Sequence, residues 1–246
     1  MNRIIALSLF ALCSLASAAD YPQQTGEPLA RSFPYSMIGQ LLFMSGPDAY
    51  SGSATIIRPR SLLTAGHNLY DFQSGWSTDL LFRRSLYGKS ALSEQAPSRL
   101  YVLGGYRQNV TRYGANSLPA FAADMAGLVF REPLAAGSTA GWSTNAKLLT
   151  GSAFNIALGY GGEFHTGDDL LSVIPTTAFI PVYGAFSINE SIYFEHGMSG
   201  GPVFAQDSDG NLFVSGVIVS GSTKPVSGGV RILDSSAAGL IRRYLR

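Results

Sequence analysis

The sequence predicts an all-β fold closed by a single C-terminal α-helix. Short apolar runs recur along the chain between clusters of Gly, Ser, Asn and Pro, the pattern of a barrel or sandwich built from many short strands. The composition agrees. Of 246 residues, 46% are hydrophobic, 13% are charged and 28 are glycine, enough apolar material for a large core and enough glycine for tight turns. Only residues 234–246 show a clear helical period, with Leu240, Ile241, Tyr244 and Leu245 on one face. No fixed-period repeat is visible, which argues against a propeller.

Residues 1–18 predict a secretion signal. Arg3 gives a positive start, Ile4 to Leu15 is mostly apolar, and Ala16-Ser17-Ala18 is a small-residue site with cleavage after Ala18 or Ala19. The apolar stretch is shorter than the ~20 residues a membrane-spanning helix needs. Phe10-Ala11-Leu12 before Cys13 does not form a lipoprotein-processing site. Cleavage removes Arg3 and Cys13, leaving 16 basic residues against 16 acidic ones and no cysteine. The mature chain is therefore expected to be disulfide-free, although a secreted or periplasmic location permits disulfides. Its balanced charge gives no electrostatic reason for a nucleic-acid or membrane partner.

Residues 19–33 are polar and carry Pro22 and Pro28, which predicts a pro-segment or an N-terminal arm; Arg31 is a conceivable processing site. The strand-like runs begin at Met37–Met44 and Ala54–Ile57. They continue through Leu80–Phe82, Leu100–Leu103, Met125–Phe130 and Asn155–Leu158. Leu170–Ile174, Ala178–Ile180, Ser191–Phe194 and Pro202–Phe204 follow, and Leu212–Val219 and Val230–Leu233 complete the series. Asp234-Ser235-Ser236 then offers N-cap oxygens, while Arg242, Arg243 and Arg246 suit the negative end of a helix dipole.

The chemistry concentrates at Glu195-His196-Gly197-Met198-Ser199-Gly200-Gly201-Pro202. Glycines around a serine let backbone N–H groups converge on a reacting carbonyl, whose oxygen gains charge as the serine attacks. A serine used this way needs a base and an orienting acid. Of the three histidines, His67 stands at the tip of the short run Ser61-Leu62-Leu63-Thr64-Ala65-Gly66, where small neighbours leave the ring free to move. Asp124 is the only charge in Phe121–Phe130, and a buried carboxylate requires a partner. Asp71 is too close to His67 in sequence for an easy approach. Asp168 and Asp169 sit in a polar turn and are expected to be solvated.

The order of these residues discriminates between hydrolase folds. Gly197–Gly201 fits the G-x-S-x-G elbow of the α/β-hydrolases, but that fold places its histidine after the serine, and none follows Ser199. The subtilisin order needs an aspartate before the histidine, and only Asp20 and Asp48, both in polar settings, precede His67. His67, Asp124, Ser199 is the chymotrypsin order.

At these residues the sequence resembles the trypsin/chymotrypsin-like serine endopeptidases, and most of all the disulfide-poor bacterial branch that includes the glutamyl endopeptidases. The likeness rests on Ser51–Ile57, Leu63–His67, Ala123–Ala126 and Gly197–Pro202 in that order. It implies two antiparallel six-stranded β-barrels, at 34–135 and 136–233, with the terminal helix at 234–246. It also implies a Ser-His-Asp triad of Ser199, His67 and Asp124, and an oxyanion hole of the Gly197 and Ser199 N–H groups. A substrate cleft would be walled by Tyr193, Phe194, Glu195 and His196 opposite Val219, Ser220 and Gly221. The implied partner is a protein or peptide substrate met by a monomer, with no cofactor and no metal. A non-catalytic binding protein of the same fold, or a serine esterase, is the alternative.

Some positions depart from that likeness. Met198 replaces the aspartate that pairs with a released N-terminus in the animal enzymes, so the loop must be held another way. Ile218 stands where the glutamyl enzymes carry an acid-reading histidine, and Tyr193 is near the position of the trypsin-like pocket aspartate. A preference for apolar or small residues remains by elimination. His165 invites a metal reading, but no ligand spacing supports it, and a solvated turn is expected. His196 is expected to be a partly exposed loop residue.

Overall fold

The computed structural model describes residues 20–135, 139–151 and 154–245. The expected signal segment 1–18, with Cys13, lies outside the described residues. Along the chain the strands are β1 (Gln23–Gln24), β2 (Ile38–Ser45), β3 (Asp48–Arg58), β4 (Ser61–Thr64), β5 (Tyr70–Asp71) and β6 (Gly75–Trp76). Next come β7 (Thr78–Arg84), β8 (Ser93–Gln95), β9 (Arg99–Val102), β10 (Ala126–Val129), β11 (Asn155–Gly159) and β12 (Leu171–Val173). The last are β13 (Ile180–Tyr183), β14 (Phe186–Asn189), β15 (Pro202–Gln206), β16 (Leu212–Thr223) and β17 (Val226–Ile232). The helices are α1 (Glu27–Ala30), α2 (Tyr106–Tyr113), α3 (Leu118–Ala123), α4 (Lys147–Thr150) and α5 (Ser235–Tyr244).

These strands form two large antiparallel sheets. One has seven strands in the order β8-β7-β2-β3-β4-β10-β9, and the other has eight in the order β1-β12-β11-β15-β16-β17-β14-β13. The counts exceed six because short strands join the edges: β8 on the first sheet, β1 and β13 on the second. The all-β class with a C-terminal helix is as the sequence predicts. Alternation decides the faces of the half-exposed strands, whereas β11 and β4 are covered on both faces and buried along their whole length, their polar ends Asn155, Ser61 and Thr64 included.

Helix α5 starts as expected, with Asp234 Oδ1 accepting the Ala237 N–H at 2.9 Å. Beneath that turn Arg231 is only 1% exposed. Its guanidinium donates to Asp234 Oδ1 at 2.9 Å, to Ser236 Oγ at 2.8 Å and to the Ala122 carbonyl at 3.2 Å. The start of α5 is thus tied to α3, whose last residue precedes Asp124. Ile241 and Leu245 are fully buried, Tyr244 stacks on Tyr101 of β9 at 4.9 Å, and Leu245 lies against Gly127 of β10. The terminal helix therefore covers the first sheet.

Residues 20–31 lie against both halves of the molecule. Asp20 donates its N–H to the Ser191 carbonyl and accepts from the Tyr193 N–H, and β1 pairs with β12. Arg31 crosses to the other half, donating to the Ser90 carbonyl at 3.0 Å. Asp169 is not simply solvated, because the fold brings donors to both of its oxygens. It accepts from Gln24 of this segment at 2.6 Å and from the Gly88 N–H of the first half at 2.9 Å. Among the described residues no helix is long and apolar enough to cross a membrane.

Candidate active site

Strand β4 ends in a 3-10 turn at Gly66–Asn68, which carries His67 into a cleft between the two sheets. Asp124 follows α3, where the chain leaves the helix for β10. The Asp124 side chain is 4% exposed and that of His67 is 34% exposed. Asp124 binds His67 twice: Oδ1 accepts the His67 backbone N–H at 2.9 Å, and Oδ2 lies 2.7 Å from Nδ1. This two-point grip fixes the ring's position and makes Nδ1 the protonated nitrogen. Nε2 remains to accept a proton from within the cleft. Burial disfavours a charged imidazolium, but the attraction and hydrogen bond of Asp124 outweigh it, so the His67 pKa lies above its ordinary value.

Ser199 lines the cleft together with His67. Among the described residues no hydrogen bond joins its Oγ to the His67 ring. The Gly197 and Ser199 N–H groups likewise donate no hydrogen bond among the described residues, while the N–H groups of Met198, Gly200 and Gly201 are all engaged. Two unengaged donors flank one buried residue. That arrangement can stabilise a carbonyl oxygen as it becomes an oxyanion.

Two sets of contacts hold this loop in place of an ion pair. Met198 is fully buried against Leu171, Val203, Ile218 and their neighbours, so an apolar anchor replaces a charged one. The first sheet supplies the second set. Ser53 of β3 donates its Oγ to the Gly197 carbonyl at 2.8 Å and its N–H to the Ser199 carbonyl at 2.8 Å, and Ser53 Oγ accepts the Tyr160 N–H at 2.8 Å. Asn68 Nδ2 bonds the Ser199 carbonyl at 3.0 Å and Thr64 Oγ1 at 2.9 Å, and Thr64 Oγ1 donates to the Ser53 carbonyl at 2.7 Å. Gly197 and Gly200 hold φ of +96° and +89°, which side chains disfavour, and a Cβ on Gly200 would lie 2.2 Å from the Ser53 carbonyl. Met198→Ala is expected to cost about 2–5 kcal/mol in urea unfolding and to lower kcat more than it raises KM. Met198→Leu should stay within about 1.5 kcal/mol.

Phe194, His196, Val219, Ser220 and Gly221 all line the cleft, and His196 is exposed. Tyr193 is 3% exposed and donates its OH to Glu163. His165 is not a solvated turn residue. Its Nδ1 lies 2.6 Å from Oε1 of Glu195, which is 2% exposed and also accepts the Phe164 N–H at 3.1 Å. This pairing straps the 160–167 loop to the residues just before Gly197, and the Gly162 N–H adds a bond to the His196 carbonyl. Thirty residues separate the partners, and the only signal in the sequence is a glutamate inside an otherwise apolar run.

The backbone is similar to several solved structures. A Glu endopeptidase superposes with a TM-score of 0.70 at 19% identity, over 92% of this chain and 96% of that one. The protease Anisep from Arthrobacter nicotinovorans gives 0.65 at 18% identity, over 84% and 94%. The thermostable serine protease AL20 from an extremophilic microorganism gives 0.65 at 20% identity, over 83% and 94%. The chain has the fold of the chymotrypsin-like serine proteases. No protein-family profile matches its sequence, and no curated protein does so either. In this protease fold the site spans two halves, with His67 and Asp124 on segments beside the first sheet and Ser199 just before β15 of the second.

Proposed function

We propose that the protein is a secreted or periplasmic serine endopeptidase that cleaves through an acyl-enzyme. The observation that carries this is the His67–Asp124 pair, held by two hydrogen bonds in the cleft that Ser199 also lines. In this reading His67 Nε2 takes the Ser199 proton as Oγ attacks the scissile carbonyl. The oxyanion settles on the Gly197 and Ser199 N–H groups, and His67 returns its proton to the leaving amine. Water then repeats the sequence on the acyl-enzyme and frees Ser199. Asp124 orients His67 and stabilises the imidazolium.

The cleft favours an internal bond over a chain end. It opens on both sides of Ser199 and His67, as a cavity of about 700 Å³ toward Phe186 and Ser222 and one of about 750 Å³ toward Tyr50 and Gln73. Substrate therefore has room before and after the scissile bond. The secretion-signal pattern of residues 1–18 supports export. The test is labelling of the purified mature protein with an alkyl fluorophosphonate, alongside digestion of an unfolded protein. The expected result is one modified residue, Ser199, and internal cleavage that the probe blocks. An unlabelled protein that cleaves nothing would reject the proposal.

A further inference from the structure

We infer that this chain cleaves after small residues and reads a large apolar side chain three or four positions earlier in the substrate. The inference rests on the endopeptidase reading above. The residues expected to enclose a primary pocket, Tyr193–His196 on one side and Val219–Gly221 on the other, instead touch. A Cβ on Gly221 would sit 2.0 Å from the Phe194 carbonyl oxygen and 3.0 Å from its carbon. Gly221 therefore cannot carry a side chain, and its backbone lies directly against the Phe194 carbonyl, which leaves no room for a substrate side chain between these two residues.

Deeper in, the space is already filled. The Phe194 side chain packs over Gly228 of β17, where a Cβ would meet ring atoms at 2.7 and 2.8 Å, and Ile192 closes the same spot at 2.9 Å. Phe194 is 2% exposed and belongs to the second apolar cluster with Ile192, Ile218 and Val230. The protein's own aromatic ring therefore stands where a substrate side chain would otherwise go. The Glu195 carboxylate is not free to greet a basic one, since His165 and the Phe164 N–H engage it. What remains in front of Ser199 accepts a hydrogen, a methyl or a hydroxymethyl group.

The open volume lies further along β16. At Gly216 and Val217 this strand is flanked by both β15 and β17, but from Val219 onward only β17 pairs with it. Its other edge faces the cleft and can take an added strand. Ile218 adjoins the nucleophile loop, exchanging bonds with Gly200 and Gly201, and Ser222 lies four residues on, about 13 Å at 3.3 Å per residue. A substrate strand antiparallel to β16 runs from Ser222 toward Ser199. The residues beside Ser222 therefore precede the scissile bond by three or four positions. The cleft there is lined by Phe121, Phe186 and Ile188, with the first two rings stacked at 5.0 Å. Asn116, Ser222 and Ser227 form the polar part of the lining, and the two rings with Ile188 offer an apolar surface that suits Leu, Phe or Met.

The test uses fluorogenic peptides varied at both positions. With Gly, Ala or Ser at the scissile position, kcat/KM should exceed that for Leu, Phe, Glu or Arg by about ten- to hundredfold. Leu or Phe three or four positions earlier should exceed Asp or Lys there by about tenfold. Phe194→Ala should raise cleavage after Leu and Phe at least about tenfold relative to Ala. Ile188→Asp, at the rim, should abolish the upstream preference and keep the scissile one, so the inference survives even if Phe194→Ala fails to fold. Equal or faster cleavage after Phe, Glu or Arg in the unaltered protein would overturn it. Fluorophosphonate labelling of Ser199 without cleavage of any small-residue peptide would overturn the specificity alone. Absence of both labelling and cleavage would overturn the endopeptidase reading beneath it.

Discussion

Ser199→Ala is expected to lower kcat/KM for peptide hydrolysis by about a millionfold and to leave the fold intact. The side-chain oxygen makes no hydrogen bond among the described residues, so its removal breaks none of the contacts that shape the loop. Those contacts run through the Ser199 carbonyl, to Ser53 and Asn68, and through the buried Met198 side chain. The Gly197 and Ser199 N–H groups stay where they are. The variant should therefore still bind peptide, still unfold at the parent's midpoint, and retain only the residual catalysis of oriented donors. Peptide and ester substrates should fall together, because both reactions need the same nucleophile. Loss of less than about tenfold would remove Ser199 from the mechanism.

Asp124→Asn should lower kcat by about ten-thousandfold and reverse the sign of a pH effect. In the parent, burial works against the charged form of His67, but Asp124 overcomes it and the pKa lies above the ordinary value of about 6.5. His67 must be neutral to accept a proton, so activity should rise with pH along a limb centred above 6.5. The asparagine keeps the shape and loses the charge, so only the burial effect remains. The acid limb of whatever activity survives should then lie below 6.5. The stability effect runs the other way. A histidine with a raised folded pKa adds stability that is complete below its unfolded value near 6.5 and is lost as pH rises through the higher folded one. Parent and variant should therefore differ most in unfolding free energy at acid pH and converge above the parent's limb. An unmoved limb in Asp124→Asn would show that Asp124 does not set the His67 charge.

How much of this was legible in the sequence depends on how locally each feature is determined. His67, Asp124 and Ser199 stood out because each is a polar group at the end of, or inside, an otherwise apolar or glycine-rich run, and burying such a group demands a partner. The terminal helix was readable down to its Asp234 cap, since period and cap are both local. Met198 showed only that a charge was missing. That an apolar socket takes over its role needed Leu171, Val203 and Ile218 to be brought together from three separate strands. The Glu195–His165 pair could not be read because its partners lie thirty residues apart on separate loops of the second half, and the bonds from Ser53 and Asn68 to the Gly197–Ser199 loop could not because they form only where one sheet docks on the other. Phe194 illustrates the subtler failure. The sequence suggested it as a pocket wall, but the direction of its ring, packed over Gly228 and Ile192, is a matter of packing that no local pattern specifies.

The hydrogen bonds from Ser53 and Asn68 to the nucleophile loop have a consequence for durability. The loop belongs to one half of the molecule, and its geometry is specified by the other. Any opening between the halves therefore dismantles the reactive geometry before the strands themselves are laid bare. In amide exchange, the Ser53 N–H should be released together with loss of activity, ahead of the interior amides of β4 and β11. A molecule that loosens in this way disarms itself first and becomes digestible only afterwards. In the endopeptidase proposed above, whose single cysteine allows no internal disulfide to hold it closed, that order would protect a population of molecules from consuming one another.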